Sequence, residues 1–278
     1  MPRNMLPLLT LEVHERLRDA ARRGQSPVEI SLDLDRTVVD VRVDQTGWSS
    51  GEEHYAWIER CKTRTIYYPQ DGQFVPVSRF GTALIKLVPT QWGAPTFEID
   101  GVKMLPTSKV SPVQDAQRKV DLIAPRGKVI LDTCGGLGYF AAWCLKKGAS
   151  KVLSFEKSPD VLWVRALNPW SPAKDARLSL VQGDIVDRIR LLGDACVDAV
   201  LHDPPRFGTA GELYSGAFYD QLARVIKPGG RLFHYTGTPN KLTSGRDVPR
   251  EVASRLRRSG FDSRLREDGV LAVRKSSR

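Results

Sequence analysis

Residues 128–139 read KVILDTCGGLGY, and the fold can be predicted outward from this stretch. Residues 129–131 form a continuous apolar run, as expected for a strand that is buried on both faces of a parallel sheet. The run ends at Asp132, three glycines follow, and residues 140–145 (FAAWCL) have high helix propensity. A strand, a glycine turn and a helix in this order predict a nucleotide-binding site, because glycine lets a ligand approach the helix N-terminus closely.

The turn after the strand reads D-x-C-x-G-x-G, which differs from the dinucleotide fingerprint G-x-G-x-x-G. It resembles the first motif of class I S-adenosylmethionine-dependent methyltransferases, D-x-G-x-G-x-G, with a cysteine in place of the first glycine. A tight turn without a cofactor is the alternative. The resemblance implies that S-adenosylmethionine binds at Asp132, Cys134, Gly135, Gly136 and Gly138.

The C-terminal part of the chain alternates between predicted strands and helices. Strands are expected at residues 129–131, 151–155, 178–181, 197–201 and 231–235, with helices between them and a closing hairpin at 261–273. This alternation predicts an α/β fold with a doubly wound, Rossmann-like sheet. An antiparallel closing hairpin is typical of class I methyltransferases, so the resemblance covers about residues 113–278.

The N-terminal part has a different pattern. After one predicted helix, residues 28–34 and 39–43 alternate between apolar and polar residues, and further short runs of this kind follow between turn residues. We therefore predict a small β-rich accessory domain at residues 1–110 and the methyltransferase-like domain at residues 111–278.

The formal net charge of +10 is placed unevenly. Residues 1–110 contain 14 Lys/Arg and 14 Asp/Glu, whereas residues 111–278 contain 28 and 18. A basic surface suits a polyanionic partner, with RNA or DNA first, and an ordinary solvated surface is the alternative.

Composition also argues against several classes of protein. The four cysteines form no C-x-x-C pair, which argues against a zinc site and a disulfide framework, so no metal is predicted. No apolar run reaches about 18 residues, and the N-terminus shows no charged-then-apolar leader. We therefore expect a soluble cytoplasmic protein that does not interact with a membrane.

Acidic residues follow three successive predicted strands. Glu156 ends the second strand, where a carboxylate can accept hydrogen bonds from both ribose hydroxyls. Asp184 follows the third strand, where the resemblance implies contact with the adenine amino group, with Ile185 packed on the ring. Each acid alone could be a helix cap or a surface charge. Together with Asp132 they predict a cofactor site at the carboxyl ends of the strands.

The fourth predicted strand leads into HDPPRF at residues 202–207. This sequence is similar to the [D/N/S]-P-P-[Y/F/W] motif of methyltransferases that modify an exocyclic amino nitrogen of a base. Hydrogen bonds from the amine to the Asp203 carboxylate and the Pro204 carbonyl would favour its pyramidal, nucleophilic form. Prolines hold that carbonyl in place because they fix φ and carry no N–H group.

The aromatic residue of this motif stacks on the base, which is extruded from its helix. Here Arg206 occupies the fourth position and Phe207 the fifth, and either side chain can stack. The catalytic residues are predicted to be Asp203, Pro204, Pro205 and Phe207. Arg206 and His202 are predicted to bind substrate. Residues 236–247 (TGTPNKLTSGRD) are predicted to form a loop that could act as a lid.

The series DTCGGLGY, DPPRF and HYTG resembles an archaeal type of methyltransferase. The resemblance implies transfer of a methyl group from S-adenosylmethionine to an amino nitrogen in RNA, with cytidine N4 of ribosomal RNA as the preferred target.

Two alternative functions stay open. Residues 208–230 also resemble spermidine synthases, in which a strand-four aspartate activates an amine, so a polyamine aminopropyltransferase that uses decarboxylated S-adenosylmethionine is the main alternative. Its cationic substrates would be repelled at long range by the basic half of the chain. The other alternative is an RNA-binding scaffold without activity, and the intact acids argue against it.

Overall fold

The computed structural model describes residues 6–208, 210–237 and 247–276. Most of the loop predicted as a lid, at residues 236–247, lies outside these ranges. The chain divides into two compact units, one of Met1–Val113 with Trp163–Ser171 and one of Gln114–Leu162 with Pro172–Arg278. The predicted division lay between residues 110 and 111. The observed division differs mainly because the first unit also includes Trp163–Ser171.

The first unit is rich in antiparallel strands. It begins with helix α1 (Leu11–Arg22), which Thr10 caps by accepting a hydrogen bond from the backbone N of Val13. Its described strands are β1 (Val28–Ile30), β2 (Val39–Val43), β3 (Gly47–Ser50), β4 (Glu53–Ala56), β5 (Tyr67–Gln70), β6 (Gln73–Pro76), β7 (Ser78–Phe80), β8 (Leu84–Val88), β9 (Thr96–Ile99) and β10 (Val102–Lys103). They form a sheet of β1 to β4, a sheet of β7 to β10 and the hairpin β5–β6.

Aromatic side chains form part of the core of this unit. The buried Trp48 ring packs on Tyr55 and on Phe74, at centroid distances of 4.5 and 5.8 Å. Such stacking between neighbouring strands stabilises small sheets, because aromatic rings bury large areas at low entropic cost.

The second unit is an α/β structure. Its described strands are β11 (Val129–Asp132), β12 (Lys151–Glu156), β13 (Leu178–Gln182), β14 (Val197–His202), β15 (Ile226–Tyr235), β16 (Phe261–Arg266) and β17 (Gly269–Arg274). The other described helices of the chain are α2 (Pro112–Ile123), α3 (Tyr139–Lys146), α4 (Pro159–Leu167), α5 (Ile185–Arg188), α6 (Gly216–Val225) and α7 (Val248–Arg258), with 3-10 turns at Ile189–Leu191 and Gly211–Tyr214. Across the described ranges, no helix has the length and apolar character that crossing a membrane requires.

The strand order of this unit confirms the predicted doubly wound sheet. The order is β13-β12-β11-β14-β15-β17-β16, with β11 to β15 parallel and β17 antiparallel to both neighbours. The chain winds away from β11 in both directions, so the order reverses between β11 and β14. Ligands of open α/β sheets bind at such a switch point, outside the carboxyl ends of the strands.

Strand β15 begins earlier than predicted. The strand was predicted at residues 231–235, but residues 227–230 (KPGG) also lie within it, and it pairs with β14 from Ile226 onward. The register shifts between the first and second pairs, and this irregularity takes up the extra residues. Gly230 is required here because an added Cβ would lie 2.7 Å from the carbonyl oxygen of Asp198.

Candidate active site

The glycine turn after β11 leads directly into helix α3. Gly136 and Gly138 have φ angles of 48° and 83°, a region that favours glycine. The backbone N of Gly138 donates to the carbonyl of Gly135 at 2.8 Å, which closes the turn. Gly138 is the N-cap residue of α3 and provides no capping side chain. The start of α3 therefore has no capping side chain of its own.

Asp132 and Cys134 lie beneath this turn. The Asp132 side chain is 1% exposed, and its Oδ2 accepts a hydrogen bond from Ser154 Oγ at 2.8 Å. Cys134 packs against the core of the second unit, and burial raises the pKa of its thiol well above the ordinary value. Both residues were predicted to bind cofactor. Asp132 is the last residue of β11, and Cys134 lies at the start of the turn that follows it.

Glu156 connects the glycine turn to the next helix. Its Oε2 accepts a hydrogen bond from Gly136 N, and its Oε1 accepts one from Ser158 N, both at 2.9 Å. The side chain is partly exposed. Each carboxylate oxygen has two lone pairs, so Glu156 retains capacity to accept hydrogen bonds from ribose hydroxyls.

Asp184 is both a helix cap and a member of an ion pair. Its Oδ1 accepts from Val186 N at 2.9 Å, and its Oδ2 lies 2.8 Å from Lys157 Nζ. Burial raises the pKa of Asp184, but the hydrogen bonds from Lys157 and Val186 outweigh burial and lower it overall. Ile185 is buried in the core. These contacts match the alternative in which Asp184 is a helix cap and a surface charge. The Lys157 side chain is exposed and can move aside for a ligand.

Asp203 follows β14 and has a buried lysine as its partner. The Asp203 side chain is 18% exposed, and its Oδ2 lies 3.3 Å from Nζ of Lys119, which is 1% exposed. The same Nζ lies 2.8 Å from Oδ2 of Asp115 and 3.7 Å from the ring centroid of Tyr235. Sequence reasoning missed this partner, and the available signal was the spacing of Lys119, which follows Asp115 by four positions, one helical turn.

The pKa values in this cluster indicate a charged lysine. Burial lowers the pKa of Lys119, but Asp203 and Asp115 outweigh burial, so the pKa is raised and the ammonium keeps its charge. Burial raises the pKa of Asp203, and Lys119 acts in the opposite direction. The carboxyl group of Asp203 therefore takes up a proton at higher pH than an ordinary aspartate.

A second basic residue extends this cluster to the closing hairpin. Arg118 donates to Asp115 at 2.8 Å and to Asp268 at 2.7 Å, and it also forms an ion pair with Glu267. The cluster of Asp115, Arg118, Lys119, Asp203, Glu267 and Asp268 contains four acids and two bases, so its local charge is negative. We call it the aspartate–lysine cluster.

The residues after Asp203 differ in exposure. Pro204 is buried and Pro205 is exposed, and the carbonyl of Pro205 accepts a hydrogen bond from Tyr214 Oη at 3.0 Å. The Phe207 ring packs edge to face on Tyr214 at 5.4 Å, whereas Arg206 is exposed. Of the two candidates for stacking on a base, Phe207 thus packs on the protein and Arg206 projects toward solvent.

His202 was predicted to bind substrate, and its surroundings correct this prediction. The side chain is buried, and Nε2 donates to the carbonyl of Leu213 at 3.0 Å. Nδ1 lies 2.7 Å from Thr133 Oγ1 and accepts a hydrogen bond from this hydroxyl, because the ring has only one N–H in the neutral form. Burial lowers the pKa of His202 to about 4, so the ring is neutral at pH 7. His202 therefore connects β14 to the segment before α6 and does not reach a substrate.

Comparison with known proteins gave relatives at the level of sequence and of fold. No protein-family model matches the chain. The chain is 41% identical over 210 residues to the uncharacterized protein MJ1233 of Methanocaldococcus jannaschii, covering 75% of this chain and 72% of the relative. It is 40% identical over 65 residues to polyamine aminopropyltransferase 2 of Streptomyces coelicolor, which is 23% of this chain and 12% of that protein.

Solved structures share the fold. A spermidine synthase in complex with the transition-state analogue AdoDATO has a TM-score of 0.58 at 16% identity, covering 70% of this chain and 72% of that one. This likeness and the strand order show a Rossmann-like fold of the class I methyltransferase and spermidine synthase type.

The neutral, buried His202 leads to a prediction about stability. The unfolded chain binds a proton at His202 below its ordinary pKa of 6.5, whereas the folded protein binds it only near pH 4. Stability is therefore lost as pH falls through this window, by about 2 kcal/mol between pH 7 and pH 5. We expect His202→Gln to lack this loss, because the glutamine amide can donate to Leu213 and does not titrate. Urea unfolding of both proteins at the two pH values measures the difference, and parallel losses would contradict the assignment.

Proposed function

This chain belongs to the same family as protein MJ1233 of Methanocaldococcus jannaschii, and we propose that it is an S-adenosylmethionine-dependent N-methyltransferase. Its substrate is the exocyclic amino group of a base in RNA, with cytidine N4 in ribosomal RNA as the preferred target. The observation that carries the proposal is the position of Asp203. A partly exposed carboxylate, followed by two prolines, ends the strand beside the glycine turn.

The residues at the switch point fit S-adenosylmethionine. The Glu156 carboxylate lies beside the glycine turn, where its oxygens can accept hydrogen bonds from the ribose hydroxyls, and no capping side chain of Gly138 stands at the start of α3. Asp184 follows β13 at the same edge of the sheet, where it could accept a hydrogen bond from the adenine amino group, whereas Ile185 is packed in the core. When bound, this cofactor supplies an electrophilic methyl group on a sulfonium.

Asp203 and the prolines prepare the amine. An aryl amine is a poor nucleophile because its lone pair is delocalised into the ring. Hydrogen bonds from its N–H groups to Asp203 and to the carbonyl of Pro204 favour the pyramidal form, in which the lone pair is available. The methyl carbon would exchange its bond to the sulfonium sulfur, which becomes a thioether, for a bond to the nitrogen. One proton would pass from the nitrogen to the Asp203 carboxylate or to solvent, so the product amine would be neutral. Arg206, which is exposed, stacks on or hydrogen-bonds the extruded base.

A polyamine aminopropyltransferase is the second candidate. It is favoured by the short match to polyamine aminopropyltransferase 2 and by the negative local charge of the aspartate–lysine cluster, which suits a cationic amine. Against it, the charge nearest to Asp203 is the Lys119 ammonium, at 3.3 Å. A protonated amine that approached the same carboxylate would be repelled by it at close range. A neutral base amine would not.

The edge strand β16 supports RNA as the substrate. Arg264 and Arg266 are exposed and, because they are two positions apart, lie on the same face of this strand. The strand leads to Glu267 and Asp268, which Arg118 connects to the aspartate–lysine cluster. A phosphate backbone that follows these arginines would therefore be led toward Asp203.

The central prediction concerns the labelled product. RNA incubated with the protein and methyl-labelled S-adenosylmethionine is expected to contain N4-methylated cytidine, detected by mass spectrometry of its nucleosides. Asp203→Asn keeps the shape of the side chain but removes the charge, and we expect at least about a 100-fold loss of label. Asp194→Asn, at an exposed surface aspartate, is the matched control and should retain activity. Turnover of decarboxylated S-adenosylmethionine with a polyamine, and no label in any RNA, would establish the second candidate instead.

Cofactor binding is predicted to depend on Glu156. Replacing it with glutamine removes the charge that strengthens hydrogen bonds to the ribose, so the Kd for S-adenosylmethionine should rise about tenfold or more. Isothermal titration calorimetry measures this change. Glu212→Gln, at an exposed position of the 3-10 turn Gly211–Tyr214, serves as control. Equal affinities for wild type and Glu156→Gln would contradict the assigned role.

RNA binding is predicted to use Arg264 and Arg266. The double variant Arg264→Ala/Arg266→Ala should bind single-stranded RNA more weakly and lower the slope of log K against log salt by about 1.4, or about 0.7 per phosphate contact. Filter binding from low to moderate salt measures the slope. Lys151→Ala/Arg190→Ala removes the same charge from exposed positions of the same unit and should leave the slope unchanged. Equal slopes for the two double variants would place the RNA elsewhere.

A further inference from the structure

Lys119 is enclosed by groups that match its three ammonium protons. Its Nζ lies 2.8 Å from Asp115 Oδ2 and 3.3 Å from Asp203 Oδ2, and the face of the Tyr235 ring lies 3.7 Å away. Two carboxylates and one aromatic face thus surround one buried cation. Because the side chain is almost entirely buried, the ammonium cannot act as a mobile binding group for RNA.

The cluster fixes Asp203 from a separate element. Lys119 and Asp115 lie one turn apart on α2, and Asp203 lies 84 positions further along the chain at the end of β14. Arg118 in turn connects Asp115 to the turn between β16 and β17. The Asp203 carboxylate is therefore held by a chain of ion pairs that starts at the closing hairpin.

The pairing distinguishes the two oxygens of Asp203. Oδ2 faces the lysine, so Oδ1 is the oxygen that can accept an N–H group of a substrate. A carboxylate accepts hydrogen bonds most strongly when it is ionised, and burial of Asp203 works against ionisation. An adjacent cation restores the charged form.

A buried ion pair does not by itself contribute much to stability. Removing two charges from water is costly, and well-packed apolar residues often stabilise a protein equally well. Asp115 alone would also suffice as a partner for Lys119. Lys119 therefore does not need Asp203 as a second partner. The position of Asp203 beside the ammonium, where an apolar residue could stand, is explained by the effect of Lys119 on the Asp203 carboxylate.

We propose that Lys119 is a positioning residue for the methyl transfer, holding Asp203 ionised with Oδ1 directed at the substrate amine. The inference rests on the proposed function of Asp203. Asp115 acts in the opposite sense, because it competes for the lysine and places a second negative charge near Asp203.

The charged and titratable groups around Asp203 come from four elements. Lys119 and Asp115 belong to α2, Asp268 to the turn before β17, Tyr235 to the end of β15, and Cys134 to the glycine turn. Among these groups, Lys119 lowers the pKa of Asp203, whereas Asp115 and Asp268 raise it. The other cation of the cluster, Arg118, contacts Asp115, Glu267 and Asp268. Removal of Lys119 should therefore move the acid limb of the activity profile to higher pH, while removal of the Asp115 charge should move it to lower pH.

The test is the pH dependence of kcat for RNA methylation by full-length variants. Lys119→Met keeps the length of the side chain. For this variant we expect the acid limb of the pH profile of kcat to move to higher pH by about one unit or more, with partial recovery of activity at high pH. For Asp115→Asn, we expect the acid limb to fall, with the KM for RNA within about twofold of wild type. Lys119→Arg retains a cation and should keep the wild-type limb.

A matched control exists on the same strand. Lys227 pairs with Asp198 of β14 at 2.7 Å, but at the opposite end of that strand from Asp203. Lys227→Met should leave the pH profile unchanged. Circular dichroism melting of each variant accounts for any loss of folded protein, and Asp115→Asn keeps the test open even where Lys119→Met does not fold.

The outcomes separate this inference from the function on which it rests. Opposite displacements in Lys119→Met and Asp115→Asn support the inference, since a purely structural role would lower activity at every pH in both. Wild-type activity with unmoved acid limbs, or limbs that move in the same direction, overturns the inference and leaves the proposed function intact. Absence of RNA methylation by the wild-type protein overturns both.

Discussion

Both halves of the candidate site depend on the register of β11 between β12 and β14. Asp132 lies opposite Ser154 on one side and opposite Leu201 on the other. The chain that leaves β11 therefore forms the glycine turn beside the chain that leaves β14 toward Asp203. A slip of one residue would exchange the two faces of the strand and destroy this alignment. The parallel ladder thus decides that a cofactor turn and an acceptor carboxylate lie at one edge.

A layer of buried polar groups supports this edge from below. Ser154 donates to Asp132, and Thr133 donates to His202, whose opposite nitrogen reaches the carbonyl of Leu213. Behind His202, the His234 ring lies 2.9 Å from the hydroxyl of Tyr219. Buried polar groups are costly unless they are hydrogen-bonded, and satisfied networks restrict the conformations of the segments they join. The layer therefore holds the site residues in place.

Charge acts on two length scales in the second unit. Its overall excess of basic residues would attract the proposed polyanionic substrate at long range, and Arg264 is one of the exposed arginines along β16. Near Asp203, acids outnumber bases, but the charge in direct contact is that of Lys119. Under the proposed function, long-range attraction of RNA and local activation of an amine would thus use different residues. The division is consistent with a polyanionic substrate whose reacting group is itself uncharged.

The sequence by itself determined the order of strands and helices, the glycine turn and the position of Asp203 at a strand end. These features depend on local properties: apolar period, the φ freedom of glycine and the restriction that proline imposes. Only the tertiary structure decided that Lys119 pairs with Asp203 and that His202 is enclosed behind the strand. Both depend on contacts with distant parts of the chain, which local patterning does not encode. In the sequence, Lys119 is one charge on an amphipathic helix, and its role arises from the packing of α2 against the end of β14.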